Sequence, residues 1–314
     1  MSEAATSRKE RIQGRVASWF THAALWISSV LPLSWARALG RWAGQLTYWL
    51  DGRTRRVAER NIRLVYPELD SHAQEALIRD SLIQTGMLAA EMGHVWRKPW
   101  SHTRDLIQAV EGADLIEKAQ ADGRGVIVLG PHLGNWEVLG LHLATLGDMV
   151  ALYEPPRFAA LGTLIRAARE RSGGTLVPTT SRGIAALVRS VRKGGISGIL
   201  PDQVPDDPRA GVNVPFMGHD AFTATLACNL IQRSGAVAVI GAAFRVPGGF
   251  KMCYRQVPDA LYDEDPVVAL TALNDAVAAL ISGWDAQYQW QYKRFRCRPP
   301  GPVDHYIDLM QPRT

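Results

Sequence analysis

The chain has 314 residues, 47% of them hydrophobic and 21% charged, a globular balance that excludes a disordered chain. Its formal charge of +5 is gathered at one end: between Met1 and Arg63 eleven Arg/Lys stand against four Asp/Glu, so the remainder is slightly acidic. No nucleic-acid motif accompanies this basic end, so no nucleic-acid partner is expected. Cys228, Cys253 and Cys297 are scattered and odd in number, which fits neither a disulfide framework nor a zinc site.

The first predicted element is apolar. Residues 16–36, VASWFTHAALWISSVLPLSWA, carry no fixed charge, with Arg8, Lys9, Arg11 and Arg15 before them and Arg37 and Arg41 after. Five of the ten tryptophans fall at or just beyond this stretch: Trp19, Trp26, Trp35, Trp42 and Trp49. Tryptophan favours the headgroup level of a bilayer, and flanking arginines suit anionic headgroups. The length barely suffices for a span, and Pro32 interrupts it. Residues 1–52 therefore read as a membrane-associated helical region, against the plainer reading of a core hairpin with tryptophans turned inward. Residues 53–314 read as one α/β domain.

In chain order, RTRRVAERNIR (53–63) predicts a basic helix, and LVYPELD a turn after which Ser71 caps a long helix. GADLIEKAQADG predicts a helix ended by Gly123. VIVLG reads as a buried strand, followed by a turn into a helix through PHLGNWEVLGLHLATLG. TLVPT, GISGIL, AVAVIGAAFRV and KMCYRQVPDA read as strands. SRGIAALVRSVRKGG, FTATLACNLIQRSG and residues 268–284 read as helices, and VPDDPRAGVNVPFMG as a Pro/Gly-rich loop. The alternation predicts a single mixed, mostly parallel sheet flanked by helices. Neither a G-x-G-x-x-G nor a P-loop motif is present, so nucleotide binding lacks its usual support.

GPHLGNWE (130–137) sits where α/β proteins place ligands, at the C-terminal end of a strand. His132 and Glu137 are five residues apart, with Gly134 permitting a tight turn between them. A bent turn brings the carboxylate back to the imidazole, holding one ring nitrogen protonated and freeing the other as a base. No serine or cysteine nucleophile lies nearby, which favours a base acting directly on a substrate hydroxyl. The plainer reading makes His132 a turn residue and Glu137 a first-turn helix acid.

At these residues the sequence resembles the secondary lipid A acyltransferases of Gram-negative lipopolysaccharide synthesis. The resemblance runs over nearly the whole chain, through RVAERNIRLVYPEL, HLGNWE, RAARERSGG, PDQVPDD, VPFMGHDAFTATL and QYQWQYKRFRCRP. HLGNWE is the most specific match, a form of the histidine-x4-acid acyltransferase signature. The resemblance implies that His132 is the general base and Glu137 its orienting carboxylate. The base acts on a hydroxyl of a lipid A precursor, which attacks an acyl thioester, usually on acyl carrier protein. No metal or redox cofactor is implied; the thioester is a co-substrate.

Arg169 is the first candidate for a functional arginine and Arg171 the second, against a solvated arginine face. Asn135 and Trp136 are expected to shape the turn beside an apolar substrate. Asp202 is expected either to steady the site by hydrogen bonds or to serve as a turn residue. Gly218, ending the 211–218 loop, is placed near the acyl chain. Lys293 and Arg294, with Arg296 and Arg298, suggest phosphate recognition, against a solvated basic face. Tyr292 stands where the family often has histidine, a departure that touches substrate detail rather than reaction class. The resemblance implies contact with membrane phospholipids and a bacterial inner-membrane enzyme whose catalytic domain faces the cytoplasm. An acyltransferase for another membrane glycolipid or an amino-acid lipid, a non-catalytic lipid-binding protein of the same fold, and a hydrolase are the competing readings.

Overall fold

VIVL is apolar at all four positions because its strand is buried on both faces: β2 (Val126–Leu129) lies inside the main sheet. The computed structural model describes residues 8–155, 159–296, 305–306 and 309, without the side chains of residues 8–18, 159 and 160. The side chains of Arg8, Lys9, Arg11 and Arg15, and all of Arg298, thus fall outside the described residues. The sheet also contains β1 (Ile107–Glu111), β5 (Ile196–Ile199), β8 (Val237–Val246) and β9 (Gly249–Gln256), in the order β1-β9-β8-β2-β5. Only β8 and β9, joined by a tight hairpin, run antiparallel; the other pairings are parallel.

Period-two alternation divides the interior into two cores. Ile127 and Leu129 of β2 join Ala238, Ile240, Ala242 and Phe244 of β8 on one face, under α3 (Arg53–Val65), α9 (Ser181–Arg192), α10 (Leu226–Ser234) and α11 (Pro266–Ile281). Val126, Val128 and Val239 face the other way, under α6 (Asp114–Ala121) and α7 (Trp136–Leu143).

The expected single sheet is corrected in two places. β3 (Val150–Tyr153) and β4 (Thr175–Pro178) form a separate parallel pair, linked to the main sheet only by a bridge from Met149 to Ile196. The expected 211–218 loop is instead β6 (Gly211–Phe216), paired with β7 (His219–Ala224) as an antiparallel hairpin. Met217 and Gly218 both have positive φ at its tip, the backbone a two-residue hairpin turn requires. The strand takes Phe222, Thr223 and Ala224 from the predicted helix, which starts only at Leu226. Likewise Asp70, not Ser71, caps α4 (Ser71–Arg97), accepting from Ala73 N at 2.8 Å.

The N-terminal stretch folds as α1 (Arg8–Val30) and α2 (Leu33–Trp49), broken at Pro32. Both pack on α4 through small residues. A Cβ on Gly40 would meet Gly86 O at 2.5 Å, and one on Gly44 would meet Leu82 O at 2.4 Å, so backbones touch. This face buries Ala36, Arg37, Gly40 and Gly44. The opposite face exposes Trp35, Leu39, Trp42 and Trp49, while α1 exposes Trp19, Phe20, Trp26, Ile27 and Val30. A core hairpin with inward tryptophans is thereby excluded. Among the described residues no helix is long and apolar enough to cross a membrane. Arg37, expected at headgroups, is instead buried against Glu91.

Candidate active site

β2 and β5 run in parallel register with Leu129 opposite Ile199. Both chains then leave the sheet at the same edge. Three residues further on, His132 and Asp202 meet. Asp202 Oδ2 accepts from His132 N at 2.9 Å, and its Oδ1 lies 2.8 Å from His132 Nδ1. With Nδ1–H donated to the carboxylate, Nε2 carries the lone pair, and the Gln203 amide Nε2 lies 3.1 Å from it. Burial works against the Asp202 charge, but the charge and hydrogen bonds of His132 outweigh it and hold the carboxyl below its usual range. Behind it, burial first and the Asp202 charge second push the Tyr288 phenol well above its ordinary value.

The expected His132–Glu137 pair does not form. Glu137, in the first turn of α7, faces α8 (Ala159–Glu170) and is gripped by Arg169 from the last turn of that helix. Arg169 Nε donates to Oε2 at 2.9 Å and Nη2 to Oε1 at 2.5 Å, consuming both carboxylate oxygens in a fork. Helix dipoles favour both ends of this pair, an acid at an N-terminus and a cation at a C-terminus. Burial lowers the Arg169 pKa, but hydrogen bonds to Glu137 and its charge more than offset that and raise it. The orienting carboxylate of His132 is therefore Asp202; Glu137 orients Arg169.

Between these helices and strands lies a narrow cavity of about 90 Å³. Trp136, Glu137 and Arg169 line it at one end, and Gly140, Leu143, Met149, Leu176 and Ile199 continue an apolar wall. Trp136 joins the two halves of the site, since its ring meets the His132 imidazole edge-on at 4.8 Å. Trp136, expected beside an apolar substrate, lines this cavity.

The turn itself is tightly supported. Gly134 has φ 64°, and a Cβ there would meet Ala243 O at 2.2 Å, so glycine is required. Asn135 is buried and points away from the cavity. Its N donates to Ala243 O at 2.8 Å, its Oδ1 caps α7 at Val138 N, and its Nδ2 reaches Glu91. Both ends of the Asn135 amide, expected near substrate, are engaged by these contacts.

The remaining expected substrate residues separate. Arg171 donates to the Lys98 and Trp96 carbonyls at the end of α4, anchoring two helices together. Arg294 is buried and donates to Phe222 O, Thr223 Oγ1 and Asn274 Oδ1, so its role is to join β7 and α11. Gly218, at the hairpin tip, does not line the cavity beside Glu137. Lys293 lines a different cavity of about 290 Å³ with Arg53, Tyr292 and Arg296. Gln203 and Glu91 escaped the sequence reading. Gln203 follows Asp202 directly, and the strand-end position of the PDQ segment was its one available signal.

A base held by a buried carboxylate, beside an apolar cavity with a fixed arginine, is equipped to deprotonate a hydroxyl next to a long apolar group. The sequence matches the model of the family described as bacterial lipid A biosynthesis acyltransferase over residues 4–297. The chain belongs to this family. It is an O-acyltransferase. Among its relatives is the lipid A biosynthesis palmitoleoyltransferase of Escherichia coli (strain K12), 26% identical over 294 residues, 92% of this chain and 94% of the relative. The lipid A biosynthesis lauroyltransferase of that organism is 24% identical over 292 residues, with the same coverage. Its lipid A biosynthesis myristoyltransferase is 25% identical over 274 residues, 85% of this chain and 82% of the relative.

Proposed function

We propose that the protein transfers a fatty acyl chain from an acyl thioester, carried on acyl carrier protein, to a hydroxyl of a lipid A precursor. The observation that carries this reading is the His132–Asp202 pair standing one aromatic ring away from the apolar cavity. His132 Nε2 takes the hydroxyl proton as the oxygen attacks the thioester carbonyl. The tetrahedral intermediate bears an oxyanion, and its collapse breaks the carbon–sulfur bond. The thiolate takes the proton back from His132, leaving an ester and a free thiol. Asp202 stabilises the imidazolium formed between these steps. Arg169, fixed by Glu137 and set over the Tyr153 ring at 5.7 Å, supplies positive charge at the cavity end where the oxyanion develops. The acyl chain occupies the apolar wall beyond Trp136. None of these steps requires a cofactor.

The exposed faces of α1 and α2 support seating in the membrane interface rather than a span. Trp35, Leu39, Trp42 and Trp49 recur at helical spacing on one face. An apolar surface of this extent on an enzyme with lipid substrates fits a bilayer. A bacterial inner-membrane site, with the catalytic domain on the cytoplasmic side where acyl thioesters are made, follows from the same reading.

The test supplies purified protein with acyl-acyl carrier protein, a lipid A precursor and, separately, other membrane glycolipids and amino-acid lipids. Acylated lipid A precursor, detected by mass spectrometry and lost in His132→Ala, is expected. Transfer only to another lipid would move the assignment to that acceptor. Undiminished transfer by His132→Ala would remove the base from the mechanism.

A further inference from the structure

We propose that Glu91 is a positioning residue for acyl transfer, the carboxylate that fixes the HLGNWE turn to the hairpin bearing the exposed tryptophans. This rests on the acyl-transfer reading above. Glu91 lies on α4 and is 0% exposed. Its Oε1 accepts from Arg37 Nε at 2.7 Å and Arg245 Nε at 2.6 Å. Its Oε2 accepts from Arg245 Nη2 at 2.8 Å and Asn135 Nδ2 at 2.9 Å. One carboxylate thus joins α2, β8 and the turn that carries His132.

The donors around it are also spent. Arg37 gives Nη1 and Nη2 to Val246 O and Gly249 O at the β8–β9 hairpin, and Arg245 gives Nη1 to Gln84 Oε1. Two cations on one anion hold Glu91 ionised against its burial: desolvation raises its pKa, and Arg245 followed by Arg37 bring it below the usual range.

Stability alone does not account for such a cluster. Buried ion pairs replaced by apolar residues of similar volume often leave a protein as stable or more so. What the charges provide is direction. Asn135 has one acceptor and one donor end, and Glu91 accepts only. The amide is therefore turned so that Oδ1 faces Val138 N and caps α7. Trp136 and Glu137 are the first residues of that helix, and Arg169 is held by Glu137. The same β8 end meets the turn again. Arg245 N donates to Gln287 Oε1, Gln287 O accepts from Gly134 N, and Gln289 N donates to His132 O. Loss of the Glu91 carboxylate frees the amide to rotate, weakens the cap and loosens the His132-to-Glu137 geometry. Neither Glu91 nor Asn135 lines the cavity.

Reversing the polarity of the Glu91–Asn135 bond tests this. In Glu91→Gln the NH2 group that replaces Oε2 faces both Asn135 Nδ2 and Arg245 Nη2, donor against donors. In Asn135→Asp the cap is kept, but a carboxylate faces Glu91. The double variant restores the donor–acceptor pair between positions 91 and 135 with unchanged net charge, while the amide N–H at position 91 still faces Arg245 Nη2. Each single variant is expected to lose about 10²-fold in kcat, with KM for thioester and acceptor within about threefold of wild type. The double variant is expected to recover at least about tenfold over either single. Singles with wild-type kcat, or a double no better than the weaker single, overturn the proposal. If Glu91→Gln does not fold, Asn135→Asp alone decides: reduced kcat at constant KM supports the role and unchanged kcat ends it. Absence of any transfer by the wild-type protein would instead strike the acyl-transfer reading.

Discussion

Replacing Asp202 by asparagine keeps the shape of the side chain and changes what it can accept. The two carboxylate oxygens of Asp202 receive two different donors, His132 N and His132 Nδ1–H. Asparagine has a single oxygen for both. If that oxygen faces the backbone N–H, the NH2 group faces Nδ1, and the ring is forced into the Nε2–H tautomer, which cannot act as a base toward substrate. If it faces Nδ1–H instead, the buried backbone N–H meets another donor, at a cost of about 1–3 kcal/mol. That penalty makes the productive arrangement the minor one by about 5- to 150-fold. The negative charge that stabilises the imidazolium is lost in either case. Together these give an expected drop of about 10³- to 10⁴-fold in kcat, the scale seen when the carboxylate of a catalytic triad is made an amide. The assay is steady-state turnover of acyl thioester at saturating acceptor, with the thermal midpoint recorded for each variant. Glu137→Gln is the control. It leaves His132 and Asp202 untouched and keeps one oxygen for Arg169, so its loss should be at least about tenfold smaller. A Glu137→Gln defect of about 10³-fold, beside an Asp202→Asn enzyme within about tenfold of wild type, would refute the assignment of the His132 partner.

Three other outcomes follow from the geometry. Arg294→Ala strips donors from Phe222 O, Thr223 and Asn274, so urea unfolding should show a loss of about 3 kcal/mol, while KM for the acceptor stays within about threefold; a raised KM at full stability would return Arg294 to substrate recognition. Trp35 and Trp42 are 67% and 64% exposed, and the double alanine variant should bind anionic phospholipid vesicles at least about tenfold more weakly in a sedimentation assay; equal binding would remove α2 from the lipid contact. His94 is buried, and burial first, then the Lys98 and His102 charges, lower its pKa to about 4. A folded-state value below the unfolded value of about 6.5 means that the unfolded chain takes up the proton first. The stabilisation is full above about pH 6.5 and is lost as pH falls toward 4, by up to about 3 kcal/mol. Urea titrations at pH 7.5 and 5 should differ by about 2 kcal/mol in the wild-type protein and much less in His94→Gln.

The layered fold was legible because its cause is local. Four apolar residues in VIVL, Gly123 behind a helix and the glycines after SRGIAALVRSVRK are signals that their own neighbourhoods obey. The β6–β7 hairpin was not, because Met217 carries a positive φ that its side chain does not advertise. The site failed for a related reason. Spacing along the chain brought Glu137 near His132 but could not say which buried group each would satisfy. That question is decided by the register of β2 against β5, which sets Leu129 beside Ile199 and so delivers Asp202, seventy residues away, to the imidazole. Once both carboxylates are in place, the direction each one faces fixes the assignment. A guanidinium fork takes two oxygens, and Arg169 finds them both on Glu137. His132 presents two N–H groups, one backbone and one ring, and both point at Asp202, while Glu137 faces α8 and Arg169. Asp202, buried and ionised, accepts both.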